Sequence, residues 1–380
     1  MKRTAAVLLA ALLLCLCVSA GAEKVITLSF TGDCTLGCEE AMRYSEDCFD
    51  KVVLRNGYAY CFANFYDLFS QDDCTVVNCE SVFQDTKDGE KTSKSFRFRG
   101  QDEFVEIFKQ GSVEAVSLSN NHTMDYSTQG FNNTKKVLDE AGIGWACEDV
   151  LWVVEKDGIR IAFGSVDYGA YGRVNTVIRD KLLKMRENGE IDAAVMLVHR
   201  GTEYAPKHIL DQDTYAEFFI KQAKVDLVIM THPHVLQGIR ILNNRSIFYS
   251  LGNFVFGGYY KVSRGEKTGT NSLYTMAVQV KMYFTEEGEY KGQQACIYPA
   301  YDSGTDPLNN YQPIRVNAQD AEPVIAAIQY DTEWQLPEIQ EDETGKAFVM
   351  LDYLPAEENT ERRADPESGK PEPASAKPAR

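Results

Sequence analysis

Residues 226–234 read Asp226-Leu227-Val228-Ile229-Met230-Thr231-His232-Pro233-His234. Four successive apolar side chains, too few for a buried helix, predict a strand covered on both faces. Two histidines follow at its end, and the proline between them keeps the backbone extended, so both imidazoles project to one side. The same pattern recurs along the chain. Val25–Phe30 runs into Thr31-Gly32-Asp33, Thr75–Val77 into Asn78 and Glu80, Ala115–Leu118 into Asn120, Asn121 and His122, and Ala193–Val198 into His199. Arg160–Ser165 and Ser246–Tyr249 are further predicted strands. Helical spacing at Glu103–Gln110, Gly130–Ala141 and Thr214–Ala223 fills intervals between them, the second closing at Gly142. This alternation predicts an α/β sheet. Tyr274–Phe284 and Gln294–Tyr301 follow one another with no helix between, which predicts antiparallel strands, and a last helix is expected near Ala321–Gln329.

In open α/β sheets the carboxyl ends of strands meet at one crevice, so side chains far apart in sequence are brought together there. The chain has five histidines, and four of them (His122, His199, His232 and His234) follow predicted strands, leaving His208 as an expected surface residue. Imidazole, carboxylate and amide oxygen together suit Zn, Mn or Fe, whereas a calcium site would use oxygen almost alone. Asp33 and Glu80 are the candidate anionic ligands, with Glu80 the better bridge; Asn121 offers a neutral oxygen, and His122 a proton for a leaving group. Cys79, between Asn78 and Glu80, is expected to face the other way.

The 39 Lys+Arg against 56 Asp+Glu give a formal charge of −17. That balance argues against a nucleic-acid binder, whose affinity comes from clustered basic residues. Lys2 and Arg3, the apolar run Ala5–Val18 and the small residues Ala20-Gly21-Ala22 read as an export signal over residues 1–22. Without it 37 basic residues face 56 acidic ones, a charge of −19. The location implied is secreted or cell-envelope, with membrane attachment only if the signal stays uncleaved. Cys34, Cys38, Cys48, Cys61, Cys74, Cys79, Cys147 and Cys296 remain, and in an oxidising compartment they are expected to form disulfides, of which eight cysteines allow 105 arrangements. The three parts expected are the signal, a domain over residues 23–354 and a disordered tail over residues 355–380, rich in Pro and Glu and without apolar residues able to offset the entropy of ordering.

The motifs together resemble the CapA family of poly-γ-glutamate capsule biosynthesis proteins. They are Thr31-Gly32-Asp33, Asn78-Cys79-Glu80, Ser119-Asn120-Asn121-His122, His199-Arg200-Gly201-Thr202-Glu203, Thr231-His232-Pro233-His234-Val235 and Ser250-Leu251-Gly252-Asn253-Phe254-Val255-Phe256, with Asn310-Tyr311-Gln312-Pro313 similar to the closing segment. The likeness runs from about Val25 to about Ala327. CapA-like domains in turn resemble calcineurin-like metallophosphoesterases, which implies an αββα two-sheet sandwich flanked by helices. The resemblance implies Asp33, Glu80, Asn121, His199, His232 and His234 as ligands for one or two divalent ions, and His122, Asn121 and Arg200 as catalytic residues. Asp33-Cys34-Thr35 lacks the histidine of the metallophosphoesterase Asp-x-His, Glu80 stands for the bridging aspartate, and Arg200 replaces a frequent tryptophan.

The function implied is a metal-dependent hydrolase-type protein acting on an anionic envelope polymer such as poly-γ-glutamate. The alternatives are a non-catalytic polymer-binding or export accessory, and a generic metallophosphatase. A strongly acidic protein repels a polyanion at long range. Capture would therefore fall to the crevice and to Arg97, Arg99 and Arg200. Phe254 and Phe256 are expected in the core, and Asn253 near the crevice.

Overall fold

The structure, a computed structural model, describes residues 23–258, 261, 264–265, 270–305 and 307–356. The expected signal and all but the first two residues of the expected tail lie outside the described residues. The strands that build the sandwich are β1 (Lys24–Thr35), β2 (Cys74–Cys79), β3 (Ala115–Ser117), β4 (Gly144–Ala146), β5 (Glu148–Lys156), β6 (Ile159–Asp167), β7 (Ala193–His199), β8 (Leu227–Thr231), β9 (Ile239–Leu242), β10 (Arg245–Phe248), β11 (Asn253–Phe256), β12 (Tyr274–Phe284), β13 (Tyr290–Tyr301) and β14 (Ala347–Met350). The first sheet runs β14-β13-β12-β1-β2-β3-β4, with β11 also paired to β1; β1 to β4 are parallel, and β12 to β14 antiparallel. The second runs β9-β10-β8-β7-β6-β5, parallel in its middle.

Strand alternation explains how the sheets stack. On β7, Ala193, Val195 and Leu197 join Ile26, Leu28, Phe30 and Val76 in the core between the sheets, while Ala194, Met196 and Val198 pack outward with helices α4 (Tyr171–Glu187) and α5 (Leu210–Gln222); in chain order these follow α1 (Phe49–Asn56), α2 (Val105–Gln110) and α3 (Ser127–Ala141). The outer face of the first sheet is covered by α1 to α3 and by Phe62, Phe65 and Phe69, whose rings lie 6.0, 4.9 and 6.3 Å from that of Phe254. The expected αββα arrangement is therefore the observed one. Helix α6 (Ala318–Gln329) packs against β13 and β14.

Strands β4, β5, β9, β11 and β14 and helices α1 and α4 were not expected from the sequence, and of these α4 is the longest. Helix α4 is strongly polar and buries Val174, Ile178 and Leu182 alone, too thin a stripe to stand out. The disulfide expectation is corrected, because all eight described cysteines are free and buried. Six of them belong to the apolar cluster on the outer face of the first sheet, where they pack as small hydrophobic groups. Burial pushes the thiols of Cys34 and Cys79 up to about 12 and those of Cys147 and Cys296 up to about 11. No helix among the described residues is long and apolar enough to cross a membrane.

Candidate metal centre

The site forms where parallel strands of both sheets end. His199 continues the inward parity of Val195 and Leu197, so its ring enters the gap between the sheets. Asn78 and Glu80 likewise continue the parity of Val76. Phe30 already faces inward, and strict alternation would turn Asp33 away. The register between β1 and β2 shifts, however: Phe30 opposes Val76 and Asp33 opposes Asn78, three steps on one strand against two on the other. This β-bulge brings the Asp33 carboxylate to the crevice. Asp33 is thus inside β1 rather than beyond it.

Asp33, Glu80, His199, His232 and His234 are all buried together. Asp33 Oδ1 accepts from Asn78 Nδ2 at 2.8 Å, and its Oδ2 lies 3.3 Å from His234 Nδ1 and accepts from the His232 backbone N–H at 3.2 Å. His199 places Nε2 2.7 Å from Asn121 Oδ1 and Nδ1 2.9 Å from Thr231 Oγ1. Glu80 Oε1 has no hydrogen-bond partner, although its residue is 0% exposed. The Nε2 atoms of His199, His122 and His234 surround it at 3.5, 3.8 and 4.0 Å. Those separations are long for hydrogen bonds, yet ligands each ~2.1 Å from one tetrahedral ion sit roughly 3.4 Å apart. His232 Nδ1 is a second buried atom without a partner. An orphaned carboxylate oxygen and an orphaned imidazole nitrogen among converging donors fit a divalent cation, and Asp33, Glu80 and His234 together, or Glu80, His199 and His232 together, place ligand atoms within 4.8 Å of one another.

The electrostatics are those of a crowded charge site. Burial alone would raise the Asp33 carboxyl, but its bond to His234 and the nearby His199 and His234 charges hold it well below the usual carboxylate range. Glu80 is pushed well up, by burial first and then by the Asp33 charge. Burial lowers His199 to about 4, while Glu80 and Asp33 overcome burial and raise His234 to about 9. Two acids and two bases split in this way, by burial and by one another's charges, mark a candidate functional site.

His122 stands beside this group. Its Nδ1 lies 2.7 Å from Asp125 Oδ2, whose other oxygen receives Lys94 Nζ at 2.5 Å. Burial lowers the imidazole pKa, and the Asp125 bond opposes that shift. Phe98 and Phe256 complete an apolar wall, with ring centroids 4.5 Å from His122 and 5.0 Å from His234 respectively.

Sequence reasoning left the roles of several residues unassigned. Asn78 is the hub: it donates to Asp33, lies 3.3 Å from His199 Nδ1, and accepts from Asn120 Nδ2 at 3.1 Å. Its signal was parity with Glu80. Asn253, expected near the crevice, holds His234 Nδ1 at 2.9 Å through Oδ1. Asp125 and Lys94 carried no signal beyond proximity in sequence to His122 for the former. Of Arg97, Arg99 and Arg200, expected to capture a polyanion, the first two are turned to partners inside the fold. Arg99 is buried and donates to Glu40 at 2.6 Å, Arg97 donates to Glu90 at 2.8 Å, and Arg200 pairs with Asp211 while covering the Tyr168 ring. Arg97 and Arg99 are thus engaged with carboxylates of the fold, whereas the Arg200 partner Asp211 is exposed and Arg200 Nε has no hydrogen-bond partner. Phe254 is core, but Phe256, beyond the register shift between β11 and β1, turns to the crevice instead. His208 is also not a plain surface residue: it stacks on Tyr249 at 3.9 Å and binds Asp331 and Asp213.

A family model described as bacterial capsule synthesis protein PGA_cap matches residues 27–258. The capsule biosynthesis protein CapA of Bacillus anthracis is 29% identical over 258 residues, 62% of this chain and 60% of that protein. The PGA biosynthesis protein CapA of Bacillus subtilis (strain 168) is 28% identical over 253 residues, 62% of this chain and 64% of that protein. The chain thus matches less than two thirds of the length of either relative. A solved structure, that of a hypothetical protein from Thermus thermophilus, aligns over 72% of this chain and 99% of its own with 13% identity and a TM-score of 0.44.

Proposed function

The chain belongs to the bacterial capsule synthesis protein family PGA_cap, and from that premise we propose that it is an exported protein whose crevice performs metal-dependent hydrolysis on an anionic envelope polymer, of the γ-glutamyl amide or phosphoester type. The observation that carries the reading is the orphaned Glu80 Oε1, buried and ringed by three imidazole nitrogens. Nothing in a polymer-binding groove requires such an arrangement, and it is costly unless a cation is held there. Asp33, Glu80, Asn121, His199, His232 and His234 would hold the ion, which supplies Lewis-acid polarisation of a carbonyl or phosphoryl oxygen.

The remaining roles belong to the chain. Asp125 accepts the Nδ1 proton of His122, leaving Nε2 unprotonated and directed to the crevice, 3.8 Å from Glu80 Oε1, where it would take a proton from the attacking water and pass it to the leaving group. Asn78 and Asn253 hold Asp33 and His234 in place. Phe98 and Phe256 keep water from the histidines.

The test is metal analysis of protein purified without chelators, alongside a screen on poly-γ-glutamate and an aryl phosphate. We expect Mn, Zn or Fe in stoichiometric amount and turnover abolished in His122→Ala. Apo protein that takes up none of these ions would remove the reading. Metal uptake with no turnover on any polymer would leave the accessory role instead.

A further inference from the structure

Arg200 directly follows His199, the last residue of β7, and its backbone N–H donates to Thr231 O at 3.0 Å. The chain therefore leaves the strand beside the His232-Pro233-His234 segment. The Arg200 guanidinium carbon lies 5.5 Å from the centre of the Tyr168 ring, and that ring lies 5.6 Å from the His232 imidazole. One aromatic ring thus stands between this positive charge and the candidate metal centre. Stacking on the ring orients the guanidinium plane without using its N–H donors.

Those donors are unevenly used. Nη2 pairs with Asp211 Oδ2, while Nε, on the same edge of the guanidinium, is buried and has no hydrogen-bond partner. Together Nε and Nη2 form the fork that grips a carboxylate or phosphate through two parallel bonds. The fold fills half of it. A buried donor left alone is unfavourable, and an anion with two oxygens on that edge would satisfy it. The partner now in place is easily exchanged. Asp211 has a side chain 52% exposed, so its pairing with Arg200 is weak in water. It is also the second residue of α5, where the free N–H groups of the first turn favour a carboxylate with or without Arg200.

We propose that Arg200 is the specificity residue of the crevice, binding an oxyanion of the substrate, carboxylate or phosphate, beside the bond to be cut by exchanging Asp211 for it. This rests on reading the crevice as a metal centre that takes an anionic polymer. A closed Nε–Nη2 fork acts at contact distance, and so supplies the local attraction that a chain of formal charge −17 lacks at long range.

Calorimetry on the full chain, with and without Mn2+, tests this with two probes at an ionic strength of about 0.15 M, where repulsion is screened beyond about 8 Å. A short γ-glutamyl oligomer supplies carboxylates, and a short glycerol phosphate oligomer supplies phosphates. One of them should bind the wild type. Arg200→Lys keeps the charge and loses the fork, and should weaken that probe by about tenfold. Asp211→Asn removes the competing carboxylate and should tighten it by up to about fivefold, the worth of an exposed ion pair. Thermal midpoints verify that both variants fold, and Mn2+ uptake reports on the centre separately. Unaltered probe affinity in both variants, or no binding of either probe to the wild type, overturns the assignment; Mn2+ uptake in the same samples leaves the metal reading standing. Dependence on Arg200 without any Mn2+ uptake would support the oxyanion subsite and remove the metal reading alone.

Discussion

The Nδ1 of His122 and the Oδ2 of Asp125 are 2.7 Å apart, one turn of chain from each other and both buried, with Lys94 closing the far side of the carboxylate. The same Oδ2 accepts the Phe98 backbone N–H at 2.8 Å, so the acid is itself held in place before it fixes the imidazole. Asp125→Asn keeps the shape and removes the charge that selects the Nδ1–H tautomer. Turnover should fall by about 10²-fold or more with little change in KM, the split expected of a residue acting through the proton donor. Steady-state kinetics checked against an unchanged thermal midpoint decides it; an equal loss through KM would make Asp125 merely structural.

Asn78 binds Asp33 and Asn120 and lies beside His199. Asn78→Ala should cost about 1–3 kcal/mol in urea unfolding, since Asn120 and Asp33 lose a buried partner. It should also weaken metal affinity by about 10–100-fold. Wild-type affinity in this variant would show that the ligands need no such support.

Gly32 passes so close to the loop before β11 that a Cβ there would lie 2.0 Å from Gly252 O, and the neighbouring Asp33 N donates to that same oxygen. Neither contact involves a side chain that can swing aside. Gly32→Ala is expected to cost about 1–3 kcal/mol and to lower metal affinity by displacing Asp33, measured by denaturant unfolding and calorimetry.

His208 links the start of α5 to the segment after α6 through Asp331 and Asp213, and the Asp331 bond raises its pKa against a smaller opposing effect of burial. A base whose folded pKa lies above its unfolded value, about 6.5, stabilises fully below that value and loses the contribution as pH rises through the folded one. Unfolding free energy should therefore decline as pH rises from about 6.5 through the folded value. His208→Gln should flatten that decline, and an unaltered slope would mean that other groups produce it.

The buried thiols predict slow reaction with an aromatic disulfide reagent in the native state. After unfolding without reductant, eight thiols should titrate if residues 1–22 have been removed and ten if they remain. A smaller number would reveal disulfides formed after export.

Much of this fold can be read without coordinates. Apolar runs ending in rare polar residues located β1, β2, β3, β7 and β8, and parity along a strand put Asn78 with Glu80 and turned Cys79 away. The hydrophobic pattern is a local property, set by which side chains share a face two or four residues apart. The bulge that turns Asp33 inward left no such mark, nor did the Phe254 and Phe256 split, because both depend on which strand lies alongside.

The sequence by itself determined the strands that end at the site and the chemical types available at their ends. Only the tertiary structure decided which of those groups meet. Asn78 and His199 are 121 residues apart, and Asp33 and His232 are 199 apart. Such contacts arise from the closing of two sheets over one core, and only the structure shows Arg97 paired with Glu90 and Arg99 with Glu40. A charge announces its type in the sequence, but whether it faces solvent, a ligand or another charge is fixed by the lower free energy of burying it paired rather than alone.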